Sequence, residues 1–206
     1  MNISLNFKLI LLFFLLGKFC FAQKETSFKT NKMNPVATMQ LGYLSPTAYG
    51  HNFLNKALAL KGGYMADFKL HLTQRFYIGL QKIYFETDVA LPEFVGAYNS
   101  SKISHHYAQA GTSIFPVDSK FNILAGGGFG YAYYKNFQTN SKFSDDGFSM
   151  MGTATLQYRF HKCIGVFSTM QLARDFLSIS AAPEQEDFLN NATFSTISFG
   201  VQVQIK

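Results

Sequence analysis

Two adjacent histidines, His105 and His106, are the side chains of this sequence best suited to acid–base chemistry. A histidine can act as a general base near neutral pH, but covalent catalysis also needs a nucleophile for it to activate. The next residues are Tyr107, Ala108 and Gln109, so the run contains no serine, threonine or cysteine. Two histidines on a β-strand are therefore the simpler interpretation, and no catalytic residue is predicted.

Glycine-rich and acidic runs are the other candidates for ligand binding, and neither has the spacing of such a site. The run Gly126–Gly130 lacks the Lys-Ser/Thr pair of a phosphate-binding loop, so its glycines are better explained by close packing in a strand. Calcium needs about six to eight oxygen ligands, which Asp145–Asp146 and Glu184–Asp187 do not supply. Cys163 has no metal ligands beside it. We therefore predict no cofactor-binding and no metal-binding residues.

A set of polar residues could instead form a charged network inside the molecule. Each lies in a segment where polar and apolar residues alternate, on the polar side of that alternation. Because a buried charge must be paired, Asp67 is expected to contact Lys69 and Arg159. A polar plug that holds the strands in register is the favoured role, and a path for protons or ions is the alternative. The predicted network consists of Asp67, Lys69, His71, Gln157, Arg159, Gln202 and Gln204.

The end of the chain shows which kind of element would position such residues. From Ile197 to Ile205 every odd position is apolar, whereas the even positions carry only serine, glycine and glutamine. Side chains alternate across a β-strand with a period of two, so one face of this strand is apolar and the other is polar without charge. The stretch also supplies the roughly 9–11 residues that cross a bilayer. These features predict a closing transmembrane strand with its apolar face in lipid.

Earlier segments show related alternation, and the connections between them are alternately long and short. Short periplasmic turns and longer outer loops are typical of outer-membrane barrels. The sequence therefore predicts an all-β fold, an eight-stranded antiparallel up-and-down transmembrane β-barrel, with Tyr64 and Tyr158 among its lipid-facing residues. A change of phase near Lys82 predicts a β-bulge there. The predicted strands are 36–44, 57–72, 76–87, 103–115, 121–134, 148–160, 164–173 and 194–206, with a long loop at 174–192.

The start of the chain predicts secretion. It has one early lysine, an apolar run from Leu9 to Leu16 and small residues before Gln23, as in a secretory signal peptide. The predicted organisation is a signal peptide at 1–22, a short periplasmic lead-in at 23–35 and an outer-membrane β-barrel domain at 36–206. Removal of Lys8 and Lys18 lowers the formal net charge from +6 to +4 (6 − 2), and the remaining basic residues are too scattered to predict nucleic-acid binding.

Three stretches resemble the small outer-membrane β-barrel proteins of the OmpX and OmpA-domain type, in particular the porin-family outer membrane protein β-barrel domain common in Bacteroidota. They are Phe76–Leu80, Phe121–Gly126 with the glycines that follow, and Ser198–Val203. The resemblance implies a membrane protein of the cell outer membrane, in contact with outer-membrane lipid and lipopolysaccharide and inserted by the barrel-assembly machinery. One departure is the chain end, Ile205-Lys206, where such barrels commonly carry an aromatic residue.

The expected function follows from the size of such a barrel. At eight strands the interior is just wide enough for side chains, so no general diffusion channel is predicted. We expect a protein without catalysis that acts structurally or through its extracellular loops, in envelope integrity, adhesion or docking of an unknown extracellular partner.

Two alternatives remain open at this point. One is an enzyme that modifies lipid A, because His105–Gly111 is similar to the His-x-Ser-Asn motif of the eight-stranded outer-membrane lipid A deacylases. His106 would match the base of that motif, but Ala108 stands at the position of the nucleophile. The other is a soluble lipocalin-like barrel that binds a lipid inside, with its apolar faces turned inward.

Overall fold

A computed structural model describes residues 36–96, 98–138, 141–179 and 184–205 of the chain. In these ranges the chain forms one closed barrel in which the strands follow one another in sequence order from β1 to β8. The predicted signal peptide and lead-in, 1–22 and 23–35, lie outside the described residues. None of the helices in the described ranges has the length and apolar character needed to cross a membrane.

All neighbouring strands are antiparallel, and β1 pairs with β8 to close the barrel. The prediction of an eight-stranded antiparallel barrel is therefore confirmed. The strands are β1 Val36–Tyr49, β2 Leu58–His71, β3 Phe76–Val89, β4 Ser100–Ser113, β5 Phe121–Phe137, β6 Lys142–Arg159, β7 Ile164–Leu177 and β8 Asn191–Ile205. Short helices lie in three of the long loops, α1 at Phe53–Lys56, α2 at Pro92–Val95 and α3 at Glu186–Asn190.

The alternation along each strand places apolar side chains on the outside of the barrel and polar ones inside its short-turn half. Phe199 and Leu156 are 58% and 49% exposed, whereas Gln157 and Gln202 are 8% and 2% exposed. The predicted lipid-facing residues Tyr64 and Tyr158 are also exposed. Because a closed barrel satisfies its own backbone hydrogen bonds, this exterior is suited to hydrocarbon. The inverted arrangement of the lipocalin-like alternative, with apolar faces turned inward along these strands, is wrong.

The predicted bulge near Lys82 is also wrong. The pairing of β3 with β4 runs without interruption from Phe76 to Asp88, and the side chains of Ile83 and Phe85 point inward. Ile83 and Phe85 were expected to face outward after a shift in the apolar–polar alternation of β3. No shift is needed, because the part of the interior beside these two residues is itself apolar. The irregularity lies in β2 instead, between Leu60 and Gly63.

The interior of the barrel is divided into two halves of different character. Towards the long loops it holds a buried apolar cluster to which most strands contribute, and α1 roofs this cluster with Phe53 and Leu54. Asn52 caps α1 by accepting a hydrogen bond from the backbone N–H of Asn55 at 3.0 Å. Towards the short turns the interior is polar. The apolar cluster includes Leu44, Met65, Ile83, Phe85, Ile103, Met151, Phe167 and Phe194.

Candidate functional site

A network of polar side chains in the short-turn half of the interior is centred on Asp67 and Lys69. These residues are two apart on β2, so both point inward, and Lys69 Nζ lies 2.5 Å from Asp67 Oδ2. Lys69 also donates to Gln40 Oε1 at 2.9 Å. The carboxylate of Asp67 accepts further hydrogen bonds from Gln109 at 2.8 Å and from Gln81 at 3.3 Å. The ion pair is buried and neutral overall, as a buried charge requires.

The network extends from this pair to the seam of the barrel. Gln40 of β1 donates to Gln202 of β8 at 3.1 Å, across the pairing that closes the barrel. Lys69 Nζ also lies 5.6 Å from the centre of the Tyr77 ring. Side chains from five neighbouring strands, β8, β1, β2, β3 and β4, are therefore joined through one ion pair.

Arg159 belongs to a separate group at the short-turn opening. Its guanidinium donates to the carbonyl oxygen of Ser119 at 2.8 Å and 3.1 Å, and to the side-chain oxygen of Gln204. Gln204 in turn donates to the carbonyl oxygen of Val117 at 3.3 Å. The predicted contact between Asp67 and Arg159 is wrong, since Arg159 binds the turn that follows β4 and closes the barrel end there.

The structure therefore brings only part of the predicted set together. Asp67, Lys69 and Gln202 share one network, and Arg159 and Gln204 share another. His71 lies with its Nε2 3.4 Å from Thr38 Oγ1. Gln157 points inward and is buried, and its Nε2 has no hydrogen-bond partner among the described residues.

A second buried polar cluster lies within the apolar half and was not predicted. Asp175 accepts hydrogen bonds at both carboxylate oxygens, from Tyr134 and Ser149 at 2.5 Å each. His105 Nε2 lies 2.8 Å from Asp175 Oδ2, and the Tyr107 hydroxyl lies 2.8 Å from Ser149 Oγ. Four strands, β4, β5, β6 and β7, meet at this one carboxylate.

This cluster was not predicted from the sequence, because Asp175 was expected to lie in a loop that begins at position 174. The strand β7 continues to Leu177, and Ala173, Asp175 and Leu177 keep its inward alternation. This alternation was the signal that could have identified Asp175.

The His105–Asp175 cluster does not have the geometry of a nucleophilic catalytic site. In such a site the hydroxyl nucleophile contacts the histidine that removes its proton. Here Ser149 contacts Asp175, and the side chains of both His105 and Asp175 are fully buried. The contacts of His105 with Phe85 and Phe194 complete an aromatic surrounding. A structural role within the apolar cluster accounts for these contacts.

The histidine that matched the deacylase base lies on the opposite face of β4. His106 and Ala108 point to the outside of the barrel, into the apolar exterior. The register partner of His106 on β3 is Lys82, and its partner on β5 is Tyr131. The position of the expected nucleophile therefore faces the same surroundings as His106 but carries only the methyl group of Ala108.

Three lysines surround one aromatic ring at the loop end of β4, β5 and β6. The Nζ atoms of Lys102, Lys135 and Lys142 lie 5.4 Å, 5.8 Å and 5.7 Å from the centre of the Phe137 ring. Glu86 lies 3.6 Å from Lys102. We call Lys102, Lys135, Lys142 and Phe137 the rim cluster.

Loop residues close the loop end of the barrel beside the rim cluster. Tyr98 is buried in the β3–β4 loop, which also contains α2, and burial raises the pKa of its phenol to about 12. The Tyr98 ring packs edge-on against Phe143 with ring centres 5.5 Å apart. A neutral aromatic side chain therefore seals this part of the loop end at physiological pH.

Comparison with known proteins identifies the fold. The chain matches Neisserial surface protein A with a TM-score of 0.56 and 10% identity, over 82% of this chain and 96% of that one. The fold is that of the small outer-membrane β-barrels. OprG of Pseudomonas aeruginosa matches with a TM-score of 0.55 and 11% identity, over 82% of this chain and 95% of that one. Ail, the attachment invasion locus protein of Yersinia pestis, matches with a TM-score of 0.52 and 11% identity, over 84% of this chain and all of that one.

These matches confirm, at the level of the fold, the predicted resemblance to small outer-membrane barrels. The sequence itself matches no protein-family model and no curated protein.

Proposed function

We propose that this chain is an integral β-barrel protein of the cell outer membrane, without catalysis or an open pore, which acts through its loop-end surface. The distribution of polarity carries this proposal. The exterior between the short turns and the loops is mainly apolar. The interior is filled by an ion-paired network in the short-turn half and by an apolar cluster in the half towards the long loops. Hydrocarbon is the medium that such an exterior requires.

The filled interior supports the absence of a pore. Arg159 binds across the short-turn opening, and Phe53, Leu54 and Tyr98 cover the loop end. An eight-stranded barrel leaves room for little beyond side chains. The absence of catalysis is supported by Ala108 beside His106 on the outer wall and by the burial of His105 and Asp175.

The rim cluster supports a role in docking or adhesion. Three ammonium groups lie around one ring, and among the described residues the ion pair of these lysines is the one between Lys102 and Glu86, so the site has a net positive charge. Such a site attracts a polyanion, and the attraction is screened by salt. Ail has been crystallised with sucrose octasulfate, a heparin analogue. We propose that the rim cluster binds a sulfated or phosphorylated polysaccharide, in an adhesive or envelope-stabilising role.

Fractionation and conductance measurements test the membrane proposal. The full chain, including the predicted signal peptide at 1–22, is expressed in a Gram-negative host, and the purified barrel is placed in a planar lipid bilayer. We expect recovery in the outer-membrane fraction, release only by detergent, and no stepwise conductance. Recovery in the soluble periplasmic fraction, or steady open channels, would overturn it.

A matched set of lysine variants tests the docking role. The triple variant Lys102→Gln, Lys135→Gln, Lys142→Gln is compared with Lys61→Gln, whose lysine already pairs with Asp88 at 2.6 Å. We expect binding to immobilised heparin at low salt, a loss of at least tenfold in the triple variant, and little change in the control. Because the triple variant removes three charges and the control one, a control loss of about one third of the triple variant's loss on a logarithmic scale would show that only overall charge matters.

A further inference from the structure

One cation on the outer wall lies where hydrocarbon is expected. Lys82 occupies the outward row of β3 between Leu80 and Tyr84, and no carboxylate of the described residues forms an ion pair with it. The neighbouring outward acid on β3, Glu86, pairs with Lys102 instead. A lysine on the lipid face destabilises a barrel unless its charge is compensated or reaches the interface.

Lys82 has a second polar side chain beside it. His106 is its register partner on β4, so the two side chains emerge next to each other on the same face. Ala66 is the register partner of Lys82 on the other side, and Ala108 follows His106 in the outward row of β4. Two small residues thus flank the two nitrogen-bearing side chains.

An apolar groove begins at these small residues and continues along the outer wall. It has a volume of about 600 Å³ and both Lys82 and His106 belong to its lining. Its size lies within the range of roughly 300–1,000 Å³ that is typical of small-molecule sites. Its apolar walls come from five adjacent strands and include Met39, Leu41, Phe68, Leu80 and Val201.

We propose that this groove is a binding site for a phosphorylated, acylated lipid of the outer leaflet, of the lipid A type. Lys82 binds the phosphate as a compact point charge, and His106 donates a hydrogen bond beside it. One acyl chain fills the groove below, against Leu41 and Leu80. The charge and the groove require the same ligand, because an anionic head and a long apolar chain must be joined in one molecule.

This inference rests on the proposed membrane location but is tested separately from it. The detergent-solubilised barrel is incubated with diphosphorylated lipid A and examined by native mass spectrometry. The variants are Lys82→Met, Ala66→Trp and, as a control, Lys61→Met, whose lysine pairs with Asp88. Each is first shown to be folded by heat-modified gel mobility. The second probe is chemically dephosphorylated lipid A.

The expected result is one retained lipid A per wild-type barrel and per Lys61→Met barrel. Retention is expected to fall at least tenfold in Lys82→Met, in Ala66→Trp and with the dephosphorylated probe. Equal retention by wild type and Lys82→Met would overturn the proposal. A dimer in wild type that disappears in Lys82→Met would also overturn it, because a second copy would then cover the groove. A barrel that inserts into bilayers but retains no lipid A contradicts this inference alone.

Discussion

Replacement of Asp67 by alanine tests the central contact of the barrel interior. The carboxylate accepts from Lys69 at 2.5 Å, Gln109 at 2.8 Å and Gln81 at 3.3 Å. Removing one partner of a buried ion pair costs about 3–5 kcal/mol, because the other charge stays buried without compensation. Since Lys69 keeps its hydrogen bond to Gln40, we expect the lower end of this range, about 3 kcal/mol.

Two companion variants separate the charge from the rest of the side chain. Lys69→Met should destabilise the barrel by a similar amount, because it leaves Asp67 buried without its cation. The double variant Asp67→Leu, Lys69→Met should be less destabilised than the sum of the two single variants, because no charge then stays buried without compensation. It keeps a residual cost, since Gln40, Gln81 and Gln109 lose their partners. The two single changes are therefore expected to be strongly non-additive.

The assay follows the fraction of folded barrel by gel mobility without boiling, as temperature or urea concentration is raised in lipid vesicles. For a chain of this length, 1 kcal/mol corresponds to about 2–4 °C in the melting temperature, so Asp67→Ala should lower it by roughly 10 °C. An unchanged melting temperature for Asp67→Ala would refute the structural role of the pair. A double variant as unstable as the sum of the single variants would refute the reasoning about charge compensation.

Three further outcomes are expected from stability measurements in the same vesicles. Asp175→Ala should cost about 3–5 kcal/mol, because three buried donors lose their acceptor; a loss below 1 kcal/mol would contradict this. Gly130→Ala should destabilise the barrel, because a Cβ there would overlap the carbonyl oxygen of His106, whereas Gly152→Ala, with nothing within 4 Å, should not; equal effects would count against the packing argument. Phe199→Arg should cost about 2–4 kcal/mol, as for an arginine on the lipid face at the bilayer midplane, and a loss below 1 kcal/mol would place the residue at the interface or in water.

Much of the fold could be predicted because each strand carries its own orientation signal. The alternation around Phe199 and Gln202 identifies the face towards lipid without knowledge of the neighbouring strands. The alternation of long and short connections then gives the number of strands and identifies the end of the barrel that carries the short turns. Local patterns of this kind need no long-range information, and they were sufficient for the barrel.

The contents of the interior could not be predicted in the same way. Asp67 and Arg159 both point inward, but the register of eight strands places them in different groups of side chains. Asp175 contacts His105, which lies 70 residues away in the sequence, and neither local segment contains a pattern that predicts this contact. Ile83 suggested a change of phase because apolar residues were assumed to face lipid, whereas the upper interior is apolar too.

The pairing of β1 with β8 has a consequence for how the molecule is made. Ala37 pairs with Ile205, which lies 168 positions later in the chain (205 − 37), so the barrel is closed by contacts that are very distant in sequence. Until the two strands pair, β1 and β8 each present a free edge that can join another chain, and contacts so distant in sequence form slowly. We therefore expect a variant that lacks β8 to form an open, aggregation-prone sheet.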